Sequence, residues 1–521
     1  MSRPLLLNGF MATGKSTIGL RVAELEGVPF DDLDRLVERR AAASIAEIFQ
    51  TKGEAEFRRL EREELDRVLE QGGKRVVALG GGALLEREIR LAALERATVI
   101  TLEAPVDVVV SRASSEPRPL LMNGNGDVET RARQLLEARQ RAYAEAHAHL
   151  STAKGDVDEC ARRAIQVWKR SPILVAAAEH SYAVDVGADI VEGRLVELVG
   201  SPTGMLTVSD ANVAKLHGGR VQKALRNRKL LELEPGEEHK TPDALLRVWN
   251  GALEAGMDRG GLFVALGGGV VCDITGFAAA TWMRGTRWLA LPTTLLAMVD
   301  ASVGGKTAVD FSDAKNAVGA FWQPSGVVCD ISFLSSEPER SFRGAVSEAV
   351  KSALIGDPEL LTYLEVNADA VLAREASILE EVVRRSISVK ARIVSRDERE
   401  SGLRAVLNLG HTVGHALEAC TGYRTFTHGE AVSLGLVSAL RIGARLGSTN
   451  PSLTKRVPAL LERLGLPTDL SRAPLKEAVD FLSHDKKRRG TYIHFVVVSE
   501  PGRVDTQMIP VEQLRRLALS S

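Results

Sequence analysis

Cysteine is scarce. The 521 residues hold four, Cys160, Cys272, Cys329 and Cys420, widely separated and never as a CxxC pair. That excludes a disulfide framework and a cysteine-built metal site, and it fits a reducing compartment. Net charge is nearly absent too, with 67 basic against 68 acidic side chains, so the overall balance favours neither nucleic acid nor an anionic membrane surface. Any anion must be bound by local clusters. No apolar run approaches the roughly 18–20 residues that a spanning helix needs. The first residues, Pro4-Leu-Leu-Leu before a glycine loop, offer no cationic leader and no cleavage site. These absences predict a cytoplasmic protein. No segment is of low complexity, and 45% hydrophobic residues exclude wholesale disorder.

What is present begins with two glycine-rich loops of different kinds. Gly9-Phe-Met-Ala-Thr-Gly14-Lys15-Ser16 follows the apolar run Leu5–Leu7, and Gly267-Gly-Gly-Val-Val-Cys-Asp273 follows Leu262–Leu266. Each stands where a strand should end and a helix begin, which predicts two nucleotide sites in two domains. The chain is too long for one core. Residues 1–170 alternate short apolar strands with charged, helix-periodic segments, the pattern of a parallel α/β domain. Arg112–Asp127, rich in Ser, Pro, Asn and Gly, reads as a lid over a site. Ser171-Pro172 marks a boundary. Residues 173–330 read as a second α/β domain and 331–521 as a mostly helical one. Val-Ala-Leu-Gly-Gly-Gly occurs at Val77–Gly82 and again at Val264–Gly269, with unrelated flanks, so it is one local solution reached twice and no repeat.

The first loop has the order Gly-x4-Gly-Lys-Ser, which supplies backbone amides and a lysine to phosphates and a hydroxyl to Mg²⁺. It predicts ATP or GTP among Ala12, Thr13, Gly14, Lys15, Ser16 and Thr17. Asp32 and Asp34 can serve the metal shell or accept a proton from a hydroxyl nucleophile; their plainer use is a helix N-cap with an acidic first turn. With Phe30-Asp-Asp32-Leu-Asp34, Phe57-Arg58-Arg-Leu-Glu61, Gly80-Gly-Gly82, Arg118-Pro-Leu-Leu121 and Arg139-x3-Tyr143 in this order, residues 1–170 resemble shikimate kinase throughout. The resemblance implies a nucleoside monophosphate kinase-like P-loop domain. Asp34, Arg58, Gly80, Gly81, Gly82 and Arg139 would hold shikimate, and Asp34 would be the base. Lys15 and the lid residue Arg118 would stabilise the transferring phosphoryl group, and Ser16, with Asp32 through water, would hold Mg²⁺. Ala12 stands where the family usually has glycine. Alanine demands an ordinary backbone conformation there, which predicts an altered loop geometry with binding kept.

In the other half, Asn408-Leu-Gly-His411-Thr-Val-Gly-His415 puts two histidines at i and i+4 on one helix face, where both can point at one ion. His428 lies near enough in sequence to return to that site, and the missing ligand should be a carboxylate. Cations crowd this half, among them Arg284, Lys306, Lys315, Lys351, Lys390, Arg404, Lys486 and Lys487. A metal beside many cations points to a multiply anionic substrate.

The stretches Pro235-Gly-Glu-Glu-His-Lys240, Gly267–Gly276, Pro292–Lys306, Lys315-Asn316, Glu348-x2-Lys351 and Asn408–His415 together resemble 3-dehydroquinate synthase over residues 173–521. The resemblance implies an α/β NAD-binding domain followed by a helical metal- and substrate-binding domain. NAD⁺ would lie against Asp210, Pro235, Gly236, Glu237, Glu238, His239, Lys240, Gly269, Val270, Val271, Cys272, Asp273, Thr293, Thr294, Lys306, Lys315, Phe333, Leu334, Ser335 and Ser336. Zinc or cobalt would be bound by Glu348, His411 and His428. Substrate, a heptulosonate phosphate, would be held by Asp300, Lys306, Asn316, Lys351, Lys390, Arg404, Asn408, His415 and Lys486 or Lys487. Lys306, Lys351 and His415 would be catalytic. Arg284 would reach the substrate phosphate of a neighbouring subunit, which implies a homodimer through this half; Trp282 stands where a tyrosine is usual. The rival for this half is a metal-dependent dehydrogenase of the glycerol dehydrogenase type, whose neutral substrate would not need Lys306, Lys351, Lys390 and Arg404. The rival for the first half is another small-molecule kinase. A nucleotide-binding sensor without chemistry is opposed by the intact Lys15, Ser16, Asp34, Glu348, His411 and His428.

Overall fold

The computed structural model describes residues 3–113, 128–153, 156–177, 180–227, 229–312, 314–482, 488–489 and 491–520. The predicted lid from residue 114 on, with Arg118, lies outside the described residues, and so do Lys486 and Lys487. The chain divides into two units, Met1–Ala183 and Val184–Ser521.

The first unit is a five-stranded parallel sheet in the order Phe30–Asp32, Val76–Ala78, Leu5–Gly9, Thr98–Glu103, Ala148–Ser151. The central strand Leu5–Gly9 is buried along its whole length, as a strand covered on both faces must be, which is why it reads as an unbroken apolar run. Its side chains alternate between two cores. Leu6 joins Leu33, Leu65 and Val77 on one face, while Leu5 and Leu7 join Ile18, Val22 and Ala161 on the other. Because the strands are parallel, the loops after Gly9, Asp32 and Ala78 emerge along one edge of the sheet. Helix Ile45–Gln71 starts at a capping box made by Ser44 and Glu47. Helix Val157–Arg170 is capped by Asp156 and stops at Ser171, left-handed just before Pro172. Leu174 and Ala176 beyond it are buried in the cluster that holds Leu6 and Leu84.

In the second unit, parallel strands lie side by side in the order Tyr182–Gly187, Gly326–Asp330, Arg287–Pro292, Leu262–Gly267, Met205–Asp210, Leu230–Leu233. The glycine loop after Leu262–Gly267 leads into helix Gly269–Thr281. An antiparallel hairpin, Lys306–Phe311 with Ala314–Phe321, follows. Helices Glu339–Gly356, Ala376–Arg396, His411–Cys420 and His428–Arg445 then form the layer that carries the histidines. This layer also contains an antiparallel pair, Tyr492–Glu500 with Arg503–Pro510, inside the part whose periodicity reads as mostly helical. The β-branched run Val496–Val498 is the local reason.

Candidate active sites

In the first unit the site grows from the turn before helix Lys15–Glu26. Gly14 is left-handed, φ 89°, and sets the first amides of that helix facing outward, where an anion is favoured. Lys15 Nζ donates to the carbonyls of Gly9 at 3.0 Å and Phe10 at 2.8 Å, lying back across the loop. Ser16 Oγ donates to Asp32 Oδ2 at 2.8 Å, and Asp32 Oδ1 accepts from the Asp34 amide at 3.1 Å. Asp32 therefore caps helix Leu33–Ala41, the plainer of its two uses, and meets Ser16 at the same time. Ala12 departs from expectation. It does not take an ordinary backbone conformation but sits at φ 60°, because the loop geometry requires a left-handed residue and alanine accepts that at a cost of about 1 kcal/mol.

Asp34, Arg58 and Arg139 come from three different helices and converge on Gly80–Gly82. A Cβ added at Gly80 would lie 2.8 Å from Asp34 Oδ1, one at Gly82 2.6 Å from Arg58, and one at Gly81 3.6 Å from Arg139. At Gly80 and Gly82 a Cβ would displace these side chains, whereas at Gly81 it would make only ordinary contact. Arg139 Nη1 and Tyr143 Oη donate to the Gly81 carbonyl at 3.1 and 2.6 Å. Glu61, to which the sequence reading gave no role, belongs to this group. It is 3% exposed, accepts from Arg58 at 2.6 Å through Oε2, and its Oε1 is buried without a hydrogen bond, close beside Gly80. Burial pushes its carboxyl up against the pull of Arg58. The three-residue spacing from Arg58 was the available signal.

In the second unit, helices meet through glycine. A Cβ at Gly429 would stand 1.9 Å from the Gly344 carbonyl, and one at Gly435 2.0 Å from that of Gly410. These contacts bring helices Glu339–Gly356, His411–Cys420 and His428–Arg445 close enough for short side chains to meet. Glu348, His411 and His428 come together, with both Nε2 atoms 3.6 Å from Glu348 Oε1. That oxygen is buried and makes no hydrogen bond, while Oε2 pairs with the buried Lys351. Two imidazoles and an orphaned carboxylate oxygen are the donor set of a borderline divalent ion. His415, whose ring lies 5.1 Å from that of His411, is exposed and groups with Glu418 and His428 and not with Glu348. A helix face is wide, and only the crossing helices decide which histidine meets the carboxylate. Burial would lower His428, but Glu348 and Glu418 on its two sides raise it to about 10, the mark of a place built for positive charge.

Around this cluster Lys306, Lys351 and Lys390 each pair with a carboxylate. Lys390 bonds to Asp300 through both its carboxylate and its carbonyl. Burial would raise Asp300, yet Lys390 and Lys351 hold it well below the ordinary carboxylate range, and burial draws Lys390 down to about 8. Lys306 pairs with Glu400, and Asn408 donates to the other oxygen of Glu400 at 2.8 Å. Arg404, 2% exposed, donates to the carbonyls of Gly304 and Glu398. Arg284 is exposed, in a turn where Met283 and Arg284 are both left-handed; Trp282 fixes that turn by donating to the Met257 carbonyl at 3.1 Å.

The residues predicted for the dinucleotide line the carboxyl edge of the sheet. Asp210 ends strand Met205–Asp210 and accepts two amides at 3.0 Å. Lys240 bridges Asp273 and Asn316, and burial pushes the Asp273 carboxyl up to about 6 despite Lys240. Pro235, Gly236, Glu237, Glu238 and His239 are exposed, with Glu237 3.4 Å from Lys315. Thr293 donates its amide to Gly267, and its buried hydroxyl has no hydrogen-bond partner. Thr294 caps the following turn by accepting from the Ala297 amide. Gly269 and Val270 open helix Gly269–Thr281, whereas Val271, Cys272, Phe333 and Leu334 point into the core and offer a ligand only their backbone. Ser335 and Ser336 stay exposed.

Comparison with known proteins finds family matches in both units. The shikimate kinase family model matches residues 11–169, the 3-dehydroquinate synthase N-terminal model 230–344 and the C-terminal model 345–488. A 3-dehydroquinate synthase of Acidithiobacillus ferrooxidans is 44% identical over 331 residues, 63% of this chain and 91% of that protein. Among solved structures, the 2-epi-5-epi-valiolone synthase ValA of Streptomyces hygroscopicus subsp. jinggangensis 5008, with NAD⁺ and Zn²⁺ bound, is 26% identical. It covers 66% of this chain and 97% of its own, with a TM-score of 0.61. A shikimate kinase of Acinetobacter baumannii in complex with shikimate is 34% identical over 32% of this chain and 92% of its own, with a TM-score of 0.30. These matches do not favour the dehydrogenase rival. No described helix is long and apolar enough to cross a membrane. The chain belongs to the 3-dehydroquinate synthase family and carries a shikimate kinase domain ahead of it, a kinase and a lyase of aromatic biosynthesis in one polypeptide.

Proposed function

We propose that residues 1–170 phosphorylate shikimate from ATP to shikimate 3-phosphate. Residues 173–330 and 331–521 together convert 3-deoxy-D-arabino-heptulosonate 7-phosphate to 3-dehydroquinate and phosphate, in the cytoplasm. The observation that carries the second half is the orphaned Glu348 Oε1 facing two imidazoles, with Lys351, Lys390 and Asp300 beside it.

In the kinase half the amides after Gly14, with Lys15 and Ser16, would hold the phosphates of MgATP. Arg58 and Arg139 suit the acceptor's carboxylate, and Asp34, beside the glycine strip, takes the proton from the acceptor hydroxyl. In the synthase half, Glu348, His411 and His428 would hold the divalent ion, zinc or cobalt. Asp210, Lys240, Asp273, Thr293 and the start of helix Gly269–Thr281 would hold NAD⁺. When bound, the ion supplies Lewis acidity toward the substrate's oxygens and NAD⁺ a reversible hydride sink. The chain's own part is to place charge. Lys306, Lys351, Lys390 and Arg404 offset a phosphate and a carboxylate, Asn316 and Asn408 orient hydroxyls, and His415, exposed on the histidine face, handles protons. A homodimer through this half would let Arg284 reach a neighbour's phosphate, as its exposed turn permits.

The test is a paired assay on the purified chain, with shikimate and MgATP and separately with the heptulosonate phosphate, NAD⁺ and zinc. Phosphate should be released without net NADH. Stoichiometric NADH would refute the synthase reading, and ATP turnover indifferent to shikimate would refute the kinase reading.

A further inference from the structure

Glu418 is 6% exposed and lies on helix His411–Cys420 seven residues after His411, on the same face. Its Oε2 stands 3.4 Å from Nδ1 of His428, whose Nε2 stands 3.6 Å from Glu348 Oε1. One imidazole therefore sits between two buried carboxylates from different helices. A neutral imidazole has one proton to donate and one lone pair to offer, on opposite sides of the ring. With the proton on Nε2, His428 would spend it on Glu348 and present no lone pair to an ion. With the proton on Nδ1, Glu418 accepts it and the Nε2 lone pair faces Glu348 and His411. His411 shows the same division, its Nδ1 3.1 Å from the Leu409 carbonyl and its Nε2 toward Glu348. A backbone carbonyl can only accept, so His411 is fixed in the tautomer that a ligand needs, and Glu418 supplies the equivalent acceptor for His428.

We propose that Glu418 is a positioning residue of the metal centre, taking the Nδ1 proton of His428 so that Nε2 is turned to the ion shared with Glu348 and His411. This rests on the metal reading above. A different use of the same side chains, a second cation among His415, Glu418 and His428, would need Nδ1 as a ligand and is distinguished by stoichiometry.

The experiment strips the full chain with chelator and reloads it with Zn²⁺ or Co²⁺. It measures ions per chain, affinity against a chromophoric chelator, and the visible bands of Co²⁺. The wild type should bind one ion. Glu418→Ala should bind it about 10–100-fold more weakly with shifted Co²⁺ bands, and Glu418→Gln, which keeps an accepting oxygen, should recover most of the affinity. Glu418→Met fills the buried volume without an acceptor and serves where the alanine variant does not fold. Wild-type affinity in both Glu418→Ala and Glu418→Met overturns the proposal. So do two ions in the wild type falling to one in those variants, which would make Glu418 a ligand. A wild type that binds no ion refutes the metal reading itself.

Discussion

The two sites are built on opposite plans. The kinase site is largely one stretch of backbone, Gly9 to Thr17, with a glycine strip across from it; in the proposed function amides and a helix N-terminus would do the binding, and the side chains that join them arrive from helices over the sheet edge. The synthase site has little backbone in its proposed metal centre. It is a lattice of buried charge, Glu348 with Lys351, Asp300 with Lys390 and His428 between two carboxylates, drawn from helices that can approach only through glycine. The difference teaches that a loop site tolerates change around it, while a buried lattice depends on every helix crossing that holds it.

The largest effect tests whether the two sites work independently. Lys15→Ala should lower shikimate phosphorylation about 10³-fold and leave phosphate release from the heptulosonate phosphate unchanged; loss of both activities would break the comparison. Next, Gly429→Ala should drive helices Glu339–Gly356 and His428–Arg445 apart, since its Cβ would meet the Gly344 carbonyl. It should cost about 1–3 kcal/mol, read as a lower Tm, and abolish zinc binding while shikimate phosphorylation persists.

A smaller effect is acid–base. Lys390 is drawn down to about 8, so its ammonium is present below that pH and lost above it. KM for the heptulosonate phosphate should rise as pH passes 8, and Lys390→Arg, charged throughout, should remove the inflection; a profile unchanged in that variant would assign the titration elsewhere. The smallest is Ala12→Gly. It relieves a left-handed alanine but loosens the unfolded chain, and the two effects nearly cancel, leaving a stability change under about 1 kcal/mol measurable by urea denaturation. A gain well beyond that would mean the loop stores more strain than φ alone suggests.

The kinase loop was legible because its function is local: Gly14, Lys15 and Ser16 are neighbours in sequence and in space. Ala12 is left-handed against its own preference, because a loop's conformation is imposed by its ends and a residue's preference does not reveal what it is made to adopt. Glu61 ends the Phe57–Glu61 stretch without a role of its own, and Glu418 stands in no motif. Each becomes visible only when burial shows a carboxylate facing a partner. The spacing of His411 and His415 is legible as one helix face; that His411 is the one to meet Glu348 follows from the family resemblance and not from the spacing.

By itself the sequence determined the two glycine loops, the parallel strands that precede them and the inventory of histidines and cations, because backbone propensity and hydrophobic period act over a few residues. Tertiary structure alone decided how closely Glu348 approaches His411 and His428, that His428 has a second carboxylate behind it, and that Glu61 joins Asp34 and Arg58 beside the glycines. Those meetings depend on how closely whole helices cross. That closeness is set by a missing Cβ on one helix and a carbonyl on another, a pairing that no stretch of sequence contains.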